Sequence, residues 1–117
     1  MKDSRYIRAI GEGLAEELDR DDRVFMLGED LVDAGPFSVT RGLAERFGTR
    51  RIRNTPISES AFLGLAVGAA IAGLRPIVEV MTMDLFTVCM DPLVNHAAKM
   101  RYMFGGQYSV PLVVLTA

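Results

Sequence analysis

Hydrophobic and polar positions change period several times along this chain, and each change marks an element. Over residues 4 to 19, Ile7, Ile10, Leu14 and Leu18 follow helical spacing while Glu12, Glu16 and Glu17 turn the other way. This predicts an amphipathic helix capped by Ser4, and Asp19 to Asp22 closes it in a charged turn. Val24 to Leu27 is a short apolar run between charge and glycine, the mark of a buried strand. Asp33 to Phe37 contains Ala-Gly-Pro and reads as a turn or loop; Val39 to Phe47 reads as a short helix stopped by Gly48. Ile52 centres a short strand leading into Thr55-Pro56. Pro76 to Met81 is another apolar strand, with Glu79 its one charge. Asp84 to Phe104 reads as a helix closed by Gly105-Gly106, which Pro92 should kink or split, with Asp91 capping the second part. Val110 to Leu115 is a Val-rich strand with Pro111 near its start. Strands alternating with helices predict an α/β fold, a parallel sheet with helices on both faces. Residues 1–117 hold no repeat, linker or second domain, and the layered structure is expected to be incomplete at its C-terminal side.

Between the strands at Ile52 and Pro76 lies the stretch on which the chain is organised. Glu59 stands at its head, and from Ala61 to Leu74 there is no charge and hardly a polar atom. A membrane span needs about 20 apolar residues, so this run reads as a buried core helix. Ser58 is its expected cap, and Gly73 followed by Pro76 its stop. Gly64 and Gly68 lie four apart on one face with Ala72 continuing the row, so another backbone can approach closely there. A carboxylate beside so apolar a helix is costly unless it has a task or a partner, which singles out Glu59.

Composition narrows the reading. The 117 residues are 50% hydrophobic, enough for one domain with a real core. A net charge of −2 argues against nucleic acid as a partner. The cluster Arg46, Arg50, Arg51 and Arg53 reads as a solvated or ion-paired face, because the surrounding chain is acidic. The single cysteine, Cys89, excludes an internal disulfide, fits a reducing compartment, and reads as a small buried hydrophobe. His96, the one histidine, reads as a hydrogen-bonded helix residue. Met81, Met83, Met90, Met100 and Met103 cluster late in the chain and suit an irregular core or a subunit interface before ligand contact. Lys2 to Arg8 is charged and no apolar run follows, so no signal peptide is visible. A bacterial cytoplasm is expected, or the mitochondrial matrix for a processed chain, and no membrane partner.

Four motifs in order carry a resemblance across essentially the whole chain. Glu59, Gly64, Leu65 and Gly68 resemble the motif Glu-x4-Gly-Φ-x-x-Gly of thiamine diphosphate enzymes. "GED" at 28–30, "TPISES" at 55–60, "GLRPIVEVM" at 73–81 and "NHAAKMRYMFGG" at 95–106 resemble the β subunit of 2-oxo acid dehydrogenase E1 components, whose N-terminal part is a pyrimidine-binding domain. Ala69 stands where Gln is usual in the wider motif, as is common in these β subunits; the resemblance departs at Pro92, where they usually carry Gln, and at Leu85, where Phe is frequent.

The resemblance implies thiamine diphosphate as cofactor and oxidative decarboxylation of a 2-oxo acid, with the acyl group passed to a lipoyl arm on an E2 acyltransferase. Pyruvate is the first expectation; acetoin and branched-chain 2-oxo acids are alternatives, as is a non-catalytic pairing module of the same fold. It assigns Glu59 as the catalytic acid at N1′ of the aminopyrimidine. Glu29, Ile57 and Leu85 would join it around the ring, and Glu29, Glu59 and Asp91 would line a proton passage between active sites. Gly64 and Gly68 would form a subunit interface. The Gly-Asp-Gly…Asn-Asn motif that holds Mg²⁺ and diphosphate in this superfamily does not occur here. That half is therefore expected from an E1 α subunit in a heterotetramer of two α and two β chains, and no metal ligand is assigned to this chain.

Overall fold

The computed structural model describes residues 5–35 and 37–117, so the Ser4 cap and Pro36 lie outside the described residues. Four strands, β1 (Val24–Gly28), β2 (Ile52–Asn54), β3 (Arg75–Glu79) and β4 (Val113–Leu115), form one sheet in the order β2-β1-β3-β4. All pairings are parallel, with Met26 opposite Ile52 and Ile77, and Ile77 opposite Val113. Helix α1 (Arg5–Arg20) and the short α2 (Leu43–Phe47) cover one face. There Leu14 and Leu18 pack with Met26, Leu43, Ile52 and Ile77. Helix α3 (Glu59–Ile71) covers the other face, packing Phe62, Leu63, Ala66 and Val67 against Leu27, Val78, Val80 and Cys89. The order explains the layering. The chain leaves β1 toward β2 and then recrosses to β3, and crossovers of one hand must use opposite faces when the direction reverses. The α/β architecture expected from the alternating pattern is the one observed.

Several local expectations change. The second helix starts at Leu43 rather than Val39, because Ser38 and Gly42 adopt left-handed backbone (φ 58° and 80°) and Thr40 instead donates its hydroxyl to Leu31 O at 2.9 Å. Ser58 does not cap α3 through its side chain: its hydroxyl donates to Pro56 O (3.1 Å), while its carbonyl accepts from Ala61 N and Phe62 N. Nor is α3 buried all round. Phe62, Leu63, Ala66, Val67 and Ala70 face the sheet, but Gly64, Leu65 and Gly68 are open to solvent. Ile7, expected on the inner face of α1, is 37% exposed.

The segment after β3 departs most. It runs as a 3-10 helix (Leu85–Cys89), a π-helical stretch (Pro92–Ala97) and α4 (Ala98–Met103). Asp91 has helical backbone and does not cap; its carboxylate accepts from Asn95 Nδ2 at 2.7 Å. The cause is Pro92, which has no N–H to give the Val88 carbonyl four residues back. That carbonyl accepts instead from the Ser60 hydroxyl of α3 at 2.5 Å, and the helical ladder widens past the proline. Ser60 thereby ties the head of α3 to the segment beyond β3. Of the methionines, Met83, Met90 and Met103 are exposed, so core packing does not account for them in this chain.

At the carboxyl ends of the central strands the backbones nearly touch. A Cβ placed on Gly28 would lie 2.6 Å from Glu79 O and 3.3 Å from Glu79 Cβ. Gly28→Ala must force β1 and β3 apart, and overpacking of this kind costs about 1–3 kcal/mol. Thermal unfolding should register it as a lowered midpoint; an unchanged midpoint would show that the strand ends separate freely.

Candidate active site at the carboxyl end of the sheet

Open α/β sheets bind ligands beyond the carboxyl ends of their strands, where the chain reverses direction. Here that point is the end of β1, flanked by β2 and β3. Glu29 follows β1, Thr55 to Glu59 follow β2, and Leu85 lies in the segment that follows β3. The topology thus collects residues separated by more than fifty positions.

Glu59 opens α3 and is 9% exposed. At a helix N-terminus a carboxylate meets the positive end of the dipole and free N–H groups, which offset part of its burial. Glu29 is half-buried, and its Oε1 has no hydrogen-bond partner among the described residues. Burial pushes its carboxyl above the usual range, and the charges of Glu59 and Asp30 add to the effect. The Cys89 thiol is raised by burial, with Glu59 again contributing, so Glu59 sits in electrostatic reach of both. Cys89 is fully buried, as its apolar surroundings predicted.

Ile57 is 82% exposed, while Leu85 and its neighbour Phe86 are partly buried against the α3 core. Asp91 is exposed, accepts from Asn95 and lies 3.7 Å from His96 Nδ1, and among the described residues no hydrogen bond links it to Glu29 or Glu59. Gly64 and Gly68 lie away from the carboxylates on the open face of α3. Among the described residues no group of three or more His, Cys, Asp or Glu is placed to hold a metal ion, and no helix is long and apolar enough to cross a membrane.

Sequence reasoning missed two contributors. Thr55 Oγ1 is buried without a partner, and the Thr55 N–H donates to Gly28 O at 2.8 Å. Asn54 Oδ1 accepts from Val32 N at 2.8 Å and anchors the loop after β1. That loop holds Asp30, Ala34 and Ser38 at positive φ, a strained backbone that needs such anchors. The small polar residues before Pro56 were the only signal. Two orphaned polar atoms at one end of the sheet are unusual in a folded chain and mark a place for an outside donor or acceptor.

Glu79 lies beside Gly28 with its carboxyl raised by burial alone. A raised carboxylate pKa favours the protonated fold, so stability should fall as pH rises from the ordinary carboxyl range through the folded value. Glu79→Gln should therefore melt higher than the parent at pH 8, with the gap closing toward pH 4. A gap that is constant with pH would mean the carboxyl does not titrate differently on folding.

Residues 3–117 match the family described as "Transketolase, pyrimidine binding domain". The chain is 52% identical over 106 residues to the "Pyruvate dehydrogenase E1 component subunit beta" of Rickettsia bellii, covering 90% of this chain and 33% of that protein. It is equally 52% identical to the mitochondrial pyruvate dehydrogenase E1 β subunit of Bos taurus, and 51% to that of Homo sapiens, in each case over 90% of this chain and 30% of the relative. The chain therefore spans about a third of the length of these relatives. With its parallel sheet and its acid at the head of α3, the chain belongs to the transketolase pyrimidine-binding domain family.

Proposed function

We propose that this chain is the pyrimidine-binding portion of a 2-oxo acid dehydrogenase E1 β subunit, with pyruvate as the substrate. The observation that carries the reading is the buried Glu59 at the head of α3, electrostatically coupled to a Glu29 whose inner oxygen lacks a partner. An aminopyrimidine fits this place, because its ring nitrogen and amino group offer the donor and acceptor that the orphaned Glu29 and Thr55 atoms lack. Thiamine diphosphate, when bound, supplies the nucleophilic carbon that attacks a 2-oxo group.

The residues of this chain would orient that ring and hold its protons. Glu59 would hold a proton at N1′, where its apolar surroundings would make the hydrogen bond stronger than in water. The Ile57 backbone and the Leu85 side chain would border the ring, with Leu85 packing where an aromatic residue would stack. Glu29, already biased toward its protonated form, is the adjacent proton holder; Asp91 would extend the passage only through groups outside this chain. An α subunit would bring the diphosphate and Mg²⁺ half, and the acyl group would leave to a lipoyl-bearing acyltransferase. The relatives include bacterial and mitochondrial proteins, and either compartment suits this role.

The open face of α3 supports an assembly. A Cβ at Gly64 or Gly68 would meet nothing within 4 Å, so nothing inside this chain requires glycine there. Each exposed mid-helix glycine costs about 1 kcal/mol against alanine, a cost that close approach of a partner backbone would explain. Met83, Met103 and Tyr102 are exposed nearby in sequence to the segment that packs on α3, and they add apolar area for that partner.

In the assembled enzyme, Glu59→Gln should keep the fold and reduce turnover by about 100-fold or more, the usual span of acid–base contributions. Turnover within about threefold of the parent, or ~0.7 kcal/mol, would remove Glu59 from this role. The interface has its own signature. Gly68→Ala should raise the melting midpoint of the lone chain by roughly 4 °C, while Gly68→Leu should weaken association with the α subunit. Sedimentation of Gly68→Leu as an unaltered assembly would show that this face stays in solvent.

A further inference from the structure

The opposite end of the molecule holds a concavity that includes none of the residues of the proposed cofactor site. It has a volume of about 630 Å³ and opens at the amino ends of β1 and β2. Its walls are Phe25 of β1 and Phe47 of α2, and its floor is formed by Leu65 and Ala69 of α3. Four arginines, Arg23, Arg50, Arg51 and Arg53, line it against one carboxylate, Asp22.

The arginines are not equivalent. Arg23 is committed to Asp21, with N–O distances down to 2.7 Å, and holds that carboxyl well below the usual range. Arg51 donates to the carbonyls of Leu18, Asp21 and Val24 at 2.7–3.0 Å and lies 3.7 Å from Asp22. Arg50 and Arg53 have no ion-pair partner among the described residues; Arg53 donates only its Nε to Arg50 O, and its guanidinium lies 6.0 Å from the Phe25 ring centre. A chain of net charge −2 thus concentrates uncompensated positive charge in one concavity.

The layering shows what shape is missing. Helix α3 packs over β1 and β3, and β2 is the edge of the sheet, so among the described residues no helix lies over the α3-side face of β2. Leu65 (60% exposed) and Leu74 (41%) stand along that vacancy, and Leu65 adjoins the Gly64 and Gly68 face. A helix with its side chains is about 10 Å across, the width such a sheet layer takes. Shape calls for a helix, the floor for an apolar side chain, and the free guanidiniums for carboxylates.

We propose that this concavity receives an acidic amphipathic helix of a different polypeptide, whose carboxylates pair with Arg50 and Arg53 while an apolar side chain rests on Leu65. Because the site is continuous with the open face of α3, the proposal rests on the assembly reading above and names the α subunit as the source of that helix. Arg–carboxylate pairs at such a rim set association rate and salt dependence as well as affinity.

The test measures association of this chain with the α subunit at 50 and 300 mM salt. R50E/R53E should weaken it by about tenfold or more at low salt and flatten its salt dependence. Arg41→Glu, outside the concavity, should leave both unchanged. R50Q/R53Q, expected to weaken association less, keeps the measurement readable should the charge reversal unfold the chain. Unchanged affinity and salt slope in both double variants would overturn the inference while leaving the assembly reading intact. Loss of self-association of this chain alone, with α binding preserved, would assign the concavity to a second copy and overturn it as well. Failure of the parent chain to bind the α subunit at all would remove the assembly reading, and this proposal with it.

Discussion

The approach of β1 to β3 at Gly28 is the constraint on which the site depends. Parallel strands that meet without a Cβ between them bring the residues just beyond them, Glu29 and the segment after Glu79, to one point. The loop after β1 must then turn away sharply, and it does so through three non-glycine residues at positive φ, held by Asn54 and Thr40. Glu29 is consequently fixed half inside the molecule with an oxygen unsatisfied, near a second carboxylate at the head of α3. Two acids held this way resist sharing one environment while both are charged, and burial together with that repulsion biases Glu29 toward its proton.

At the other end of the sheet a single guanidinium does the comparable structural task. Arg51 gathers carbonyls from the last turn of α1, the turn after it and the first residue of β1, and so seats the edge strand against the helix layer. The end of a helix leaves carbonyls without partners, and a planar fork of donors is well suited to collecting them. The two ends therefore differ in kind: one closed by cation and carbonyl, the other left with unpaired acceptors.

Much of this was legible in the sequence because it is local. Short apolar runs gave the strands, their alternation with helices gave the parallel sheet, and a lone carboxylate before an apolar run pointed to Glu59. The all-round apolar character of residues 61–74 hid which side of α3 is open, since glycine and alanine look alike whether packed or bare. Pro92 announced a disturbance without its form, because the outcome depends on Ser60 reaching the stranded Val88 carbonyl across the fold. The unpaired Thr55 hydroxyl and the concavity beside β2 arise from long-range packing, which spacing along the chain does not encode.

The bare glycine face of α3 has a consequence for quantity in the cell. A helix weakened by exposed glycines, with Leu65 and several methionines uncovered, makes the solitary chain less stable than its sheet alone would allow. A partner that binds only the folded form adds RT ln(1 + [partner]/Kd) to that stability, so the survival of each copy tracks how much partner is present. Copies made in excess spend more time open and are exposed to proteolysis in proportion. On the assembly proposed above, close packing between subunits would become a means of keeping their numbers equal, without any regulator of synthesis.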